Sequence, residues 1–306
     1  MSRILFLAGL LSIGMMARTQ MVSMDVLGNY LSATWNPALT GSEHRLAIHA
    51  WHRQRWNIKG GPAYSGLFAE KKINDRFGTG IQVNTASWGV TDAVEGMLSA
   101  NTGFVVNKAR IRMGLAVGMR QLNAHLTQVG LADNLDPEFA SDIIGQTEWN
   151  VGYGFGYTDE KYEFGYAVPR LLQYNYYFVN GELKRGMNGG FMYREMNLHA
   201  MRTFNFTDQM SGRVQVVMSG IPVNGMLWRI NAVTEWNNTI IGGATGATNG
   251  SVGLIVGATW KGQWRICYAG ELMQGKTGAG NLSHAIALSF LLSNGNTVVP
   301  VTEQQP

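Results

Sequence analysis

Trp149-Asn150-Val151-Gly152-Tyr153-Gly154-Phe155-Gly156-Tyr157 is the stretch that decides the fold. Its odd positions are aromatic or apolar, and Gly fills 152, 154 and 156. The period is therefore two: one face is wholly apolar and the other carries almost no side chains. The same period runs from 110 to 120, where Ile111, Met113, Leu115, Val117 and Met119 alternate with Arg110, Arg112, Gly114, Ala116, Gly118 and Arg120. It recurs where Met226, Trp228, Ile230 and Ala232 alternate with Leu227, Arg229 and Asn231.

Working outward, strand cores are expected near 45–56, 64–71, 77–87, 93–106, 109–122, 147–158, 161–168, 191–204, 212–219, 225–237, 251–260, 263–272 and 282–292. Many reach the roughly 9–11 residues of a tilted membrane strand, where soluble strands average about 5–6. Trp56, Trp88, Trp236, Trp260 and Trp264 fall near strand ends, as in the aromatic girdles of outer-membrane barrels. The expectation is an all-β chain forming a single antiparallel transmembrane β-barrel of roughly 12–14 strands, with both termini in the periplasm. The connections at 123–146, 169–190 and 238–250 read as loops, and 242–246 as turn chemistry.

Composition supports this class. Gly numbers 39 of 306 residues, and charged residues are only 14% against 45% hydrophobic. Nine Trp, eleven Tyr and twelve Phe exclude a disordered chain. Past the N-terminus no window supplies the roughly 20 apolar residues of a spanning helix. Residues 1–19 read as an export signal, with Arg3, an apolar run from Ile4 to Met16, and Ala17-Arg18-Thr19 before Gln20. The domains expected are this signal, a periplasmic segment over 20–44 with a turn of helix and a coil packed at the barrel mouth, the barrel over 45–292, and a tail over 293–306. Losing Arg3 and Arg18 lowers the formal charge from +4 to +2, a dispersed excess that argues against nucleic acid. Cys267 is the only cysteine, so no internal disulfide is possible.

Three motifs invite chemistry. Gly270-Glu271-Leu272-Met273-Gln274-Gly275-Lys276-Thr277 matches a phosphate-binding loop letter for letter. A following helix is required, yet Gly278 and Gly280 occupy its first turns, so a hairpin turn is the better reading. His49 and His52 are three apart and point to opposite faces of a strand, which leaves no metal site. Arg53 and Arg55 share a face and are expected in the lumen beside Glu95 or Glu235. Ser283 and His284 are adjacent, so they also face apart and form no nucleophile–base pair. No catalytic, cofactor or metal residues are assigned.

Several stretches, in order along the chain, resemble the PorP/SprF family of the type IX secretion and gliding machinery. They are Trp35-Asn36-Pro37-Ala38-Leu39-Thr40-Gly41-Ser42, His52-Arg53-Gln54-Arg55-Trp56, Gly60 to Ser65, Gly78-Thr79-Gly80-Ile81-Gln82, Gly165 to Leu172 including Pro169, and Ser283-His284-Ala285-Ile286-Ala287-Leu288. Arg55, His52 and Ala285 depart from the family's usual Gln, Tyr and Glu. The resemblance implies a non-enzymatic barrel in the bacterial outer membrane, whose partners are outer-membrane lipid, type IX components and cargo with a C-terminal sorting domain. The family-motif residues Asn36, Pro37, Ala38, Gly41, Arg53, Trp56, Pro169, Ser283 and His284 are read as structural. Pro37 restricts Asn36 to extended geometry, giving a turn into the first strand, while the segments at 45–56 and 282–292 must pair to seal the barrel. Arg110, Arg112, Arg120 and Arg229 are expected to face the lumen, because a cation on the lipid face costs about 2–4 kcal/mol at the midplane. With the segment over 21–41 they would occlude the bore. Barrel physics alone equally allows a passive channel or an apolar-solute transporter.

Overall fold

The computed structural model describes residues 24–56, 60–129, 141–179, 182–187, 189–273 and 281–292. The export signal, the C-terminal tail, and Gly275, Lys276 and Thr277 lie outside them. Among the described residues no helix is long and apolar enough to cross a membrane.

The wall is a closed antiparallel barrel of fourteen strands. In chain order they are β1 (Leu46–Arg55), β2 (Ala63–Lys72), β3 (Phe77–Trp88), β4 (Thr91–Val106), β5 (Ala109–Ala124), β6 (Ile143–Thr158), β7 (Tyr162–Arg170), β10 (Glu195–Thr207), β11 (Met210–Ile221), β12 (Gly225–Trp236), β13 (Ile240–Ala247), β14 (Val252–Trp260), β15 (Trp264–Met273) and β16 (Asn281–Leu292). Each pairs with its sequence neighbour in the wall, and β1 pairs β16 from Leu46↔Leu292 to Arg55↔Ser283, which closes the ring. Two further strands, β8 (Tyr174–Val179) and β9 (Glu182–Met187), form a separate hairpin in the connection from β7 to β10.

Burial follows the period of two. On β12, Leu227, Arg229, Asn231, Val233 and Glu235 are buried, while Trp228, Ile230 and Trp236 are exposed. The outer surface is an apolar band of such residues, including Met113, Leu115, Val117, Leu254 and Val256, as a lipid-facing wall requires. Phe77, Phe104, Phe206, Trp236, Trp260 and Trp264 ring one end. At that end the strands are joined by tight turns, several using Asn or Lys at positive φ (Asn107, Asn237, Asn238, Lys261). Short turns mark the periplasmic side of outer-membrane barrels, so the long connections face outward. Trp88 departs from the girdle expectation: it lines the interior, with the Arg120 guanidinium over its ring at 5.5 Å.

Three expected loops need correction. The stretch at 238–250 holds β13, whose glycines at 242, 243 and 246 fall on both faces and erase the alternation. At Gly243 a Cβ would overlap the Ala232 carbonyl of β12, so the neighbouring strand demands glycine there. The stretch at 169–190 holds β8 and β9, and β6 begins at Ile143 rather than 147. The phosphate-loop match begins on β15, and the chain re-enters the wall as β16 at Asn281.

The segment before β1 is inside the barrel. It consists of short helical turns over Met24–Leu27, Gly28–Leu31, Ser32–Thr34 and Pro37–Leu39. Val26, Leu27, Leu31, Ala38 and Leu39 are at most 1% exposed. Val26, Leu27 and Leu31 join Trp51, Phe68, Val233, Ile241, Ile255 and Cys267 in one apolar cluster on the inner wall. At about 1.5–3 kcal/mol per fully buried large apolar side chain, this holds the segment as a plug. The packing expected at the barrel mouth is thus deeper, within the wall itself, and this part of the bore is a packed core rather than a polar channel.

Candidate functional site: the plug and the cup above it

The plug is held by hydrogen bonds around the ring. Tyr30 donates its hydroxyl to Glu235 at 3.0 Å, and Arg213 donates to the Asn29 carbonyl at 3.2 Å. Burial first, then the Glu235 carboxylate, pushes the Tyr30 phenol well above its ordinary pKa. Ser32 donates to Glu163 at 3.1 Å, and the same carboxylate meets His199 at 2.9 Å. The Trp35 indole sits edge-on to that imidazole, with centroids 4.8 Å apart. At the far end Gly41, at φ +63°, donates its N–H to Glu70 at 2.5 Å, and Asn101 donates to the Thr40 carbonyl at 2.5 Å.

Asn36 is the centre of this arrangement and is fully buried. Its extended backbone, as expected before proline, lets the side-chain oxygen cap the Pro37–Leu39 turn by accepting from Ala38 N–H at 3.0 Å. The amide nitrogen donates to the Phe155 carbonyl of β6 at 3.1 Å. Asn36-Pro37-Ala38 thus turns the plug in the bore rather than delivering the chain directly into β1. The glycines of the opening stretch find their reason here. A Cβ at Gly154 would overlap the Asn36 side chain, and one at Gly114 would overlap the backbone of Pro37 and Ala38.

Across the bore, Arg53, Arg229 and Glu271 form a buried ion network. Arg53 reaches Glu271 at 2.5 Å and Ser283 at 3.3 Å, while Arg229 pairs with Glu271 and donates to Thr245 at 2.8 Å. The expected partners of Arg53 were Glu95 and Glu235, but those belong to Arg170 and to Tyr30 with Arg213. Arg112 is buried on the inner face of β5, Arg120 lines the interior, and Arg110 lies at the rim, 3.8 Å from Asp75. His284 turns outward against Trp56, with ring centroids 3.9 Å apart, and bonds to Tyr268. Ser283 turns inward.

Above the plug lies a cup of about 880 Å³. Trp35 and Pro37 form its floor, and Pro62, Trp88, Gln173 and Asn224 stand at the long-loop end. Arg170, next to Pro169, donates two bonds to Glu95 at 3.2 and 3.1 Å and lies 3.7 Å from Glu195. Arg120 is 3.7 Å from Glu148. The β8–β9 hairpin stands beside the cup: Arg185 donates to the Thr147 carbonyl at 3.0 Å, and burial, then Glu148, pushes the Tyr176 phenol up to about 12. Of these, only Glu95 was legible from the sequence, as a lumen acid beside Arg53 or Arg55; Glu148, Glu195 and Arg170 were not singled out, although Arg170 falls in the Gly165–Leu172 stretch. Among the described residues no group of three His, Cys, Asp or Glu gathers to hold a metal.

A closed barrel with an apolar outer band and an interior filled by its own N-terminal segment is the build of an outer-membrane protein, and the outer membrane is where this chain resides. Residues 19–290 match the model of the type IX secretion system membrane protein PorP/SprF, and the chain belongs to that family. No curated protein matches it. Among solved structures, the toluene transporter TbuX of Ralstonia pickettii is 13% identical over 85% of this chain and 93% of its own, with a TM-score of 0.53. The CymD monoaromatic hydrocarbon channel is 12% identical over 93% and 97%, with a TM-score of 0.52. At such identities the likeness is one of fold.

Proposed function

We propose that this chain is a non-enzymatic component of the type IX secretion and gliding machinery, supporting secretion or surface anchoring of cargo that carries a C-terminal sorting domain. The observation that carries the reading is where the family-motif residues sit. Asn36, Pro37 and Ala38 lie inside the bore against β5 and β6, and Arg53 of the first strand bonds Ser283 of the last. A barrel filled by its own chain offers its rim and outer wall to partners, not a wide passage. The rival reading, a passive channel or apolar-solute transporter, draws support from the cup and from the hydrocarbon channels that share the fold. Deleting the gene and comparing surface and secreted proteomes separates the two. The secretion role requires one or a few sorting-domain proteins to leave the surface or accumulate inside. Unchanged surface proteins with altered solute uptake would establish the channel instead.

A further inference from the structure

We propose that the outer edge of β6 and the cup beside it form a docking site for an extended, basic segment of a partner polypeptide. This deepens the secretion role and rests on it for the identity of the partner. Along its whole length β6 pairs with β5, but β7 covers only Tyr153–Thr158. The last rung beyond is Leu171 N–H to the Val151 carbonyl at 2.8 Å. Gln146 to Asn150 therefore has a strand on one side only. Because Val151 directs its carbonyl toward β7, alternation directs the backbone groups of Thr147 and Trp149 the same way. The Thr147 carbonyl is taken by Arg185; the Thr147 N–H and both backbone groups of Trp149 face no strand among the described residues.

Exposed edges are usually blunted by lysine, proline or a bulge. Here the bulge at Gly145, with φ +67°, comes only beyond the edge. It leaves five residues, about 16 Å at ~3.3 Å each, without lysine or proline. The single charge, Glu148, is turned into the cup and buried. A strand added here would point alternate side chains into the cup beside Glu148. Three carboxylates line that cup against two guanidiniums. Glu95 is satisfied by two bonds from Arg170, whereas Glu148 and Glu195 stand 3.7 Å from their arginines, beyond hydrogen-bond reach. The lining thus holds one carboxylate more than it has guanidiniums, with Arg185 standing at its edge on the Thr147 carbonyl, and a lysine or arginine of the incoming strand offsets that excess.

The test uses the purified full-length barrel in detergent and two nine-residue probes, one alternating Lys with Val and one alternating Glu with Val, followed by fluorescence anisotropy. The lysine probe binds and the glutamate probe does not. Thr147→Pro removes a donor outside the β5 ladder and weakens binding tenfold or more, as does Glu148→Gln with Glu195→Gln. Arg185→Ala frees a carbonyl and tightens binding. Heat-dependent gel mobility shows that each variant remains a folded barrel. Equal binding of the two probes, no binding of either at millimolar concentration, or indifference to Thr147→Pro overturns the proposal. So does a photo-crosslinker at Gln146 in cells that captures only residues 130–140 of the same chain. Probe binding with an unchanged surface proteome rejects the secretion role and leaves the docking site standing.

Discussion

Gly114→Ala asks whether the wall is shaped to its plug. Gly114 faces the bore from β5, and a Cβ there would lie about an ångström or more inside ordinary contact with the Pro37 and Ala38 backbone. A flexible side-chain end could swing away, but a backbone held by the Asn36 cap and by Asn101 cannot. Forcing one methyl group into a packed interior costs about 1–3 kcal/mol. At roughly 1.4 kcal/mol per tenfold, the plug-docking equilibrium falls roughly 5- to 150-fold. The cost belongs to the plug, so it is read by native-state hydrogen exchange of the amides over 24–42, which lose protection by that factor. Gly96→Ala is the control, since a Cβ there meets nothing within 4 Å. In a chain lacking residues 24–40, Gly114→Ala leaves barrel stability unchanged. Parent-like protection of the plug in Gly114→Ala would refute the fit.

Asn36→Ala loses both the cap and the bond to Phe155; at about 1 kcal/mol each, plug amides exchange roughly thirtyfold faster, and unchanged exchange counts against the assigned role. Glu271→Gln leaves Arg53 and Arg229 without their shared carboxylate. Breaking a buried pair this way costs about 3–5 kcal/mol, read as a lower urea midpoint, and a midpoint equal to the parent's rejects the network. Leu27→Ala opens a cavity in the apolar cluster on the inner wall and costs about 2–5 kcal/mol in the same unfolding assay; an unchanged midpoint rejects the packing of the plug against the wall. The parent gives no steady porin-sized conductance in planar bilayers; a large open pore there contradicts the plugged bore.

The period of two, read from the Trp149–Tyr157 stretch and its repeats, was sufficient for the architecture. In a barrel, one face must meet lipid and the other the interior, and that demand is written residue by residue. Thirteen of the fourteen wall strands could be located this way. β13 could not, because its glycines at 242, 243 and 246 fall on both faces and erase the alternation, and only Gly243 answers the close approach of β12. The first and last strands were legible too, since an unsealed edge is intolerable in lipid. What the opposite face was for could not be read. Glycine records that something lies close without saying what, and only the closed ring brings Asn36 against Gly154, 118 residues later in the chain. The ion partners were also beyond the sequence. Arg53 finds Glu271 because ring closure sets β1 near β15, and Glu95 finds Arg170 across the cup. Pairing between distant segments depends on register and curvature, which alternation along one strand does not encode.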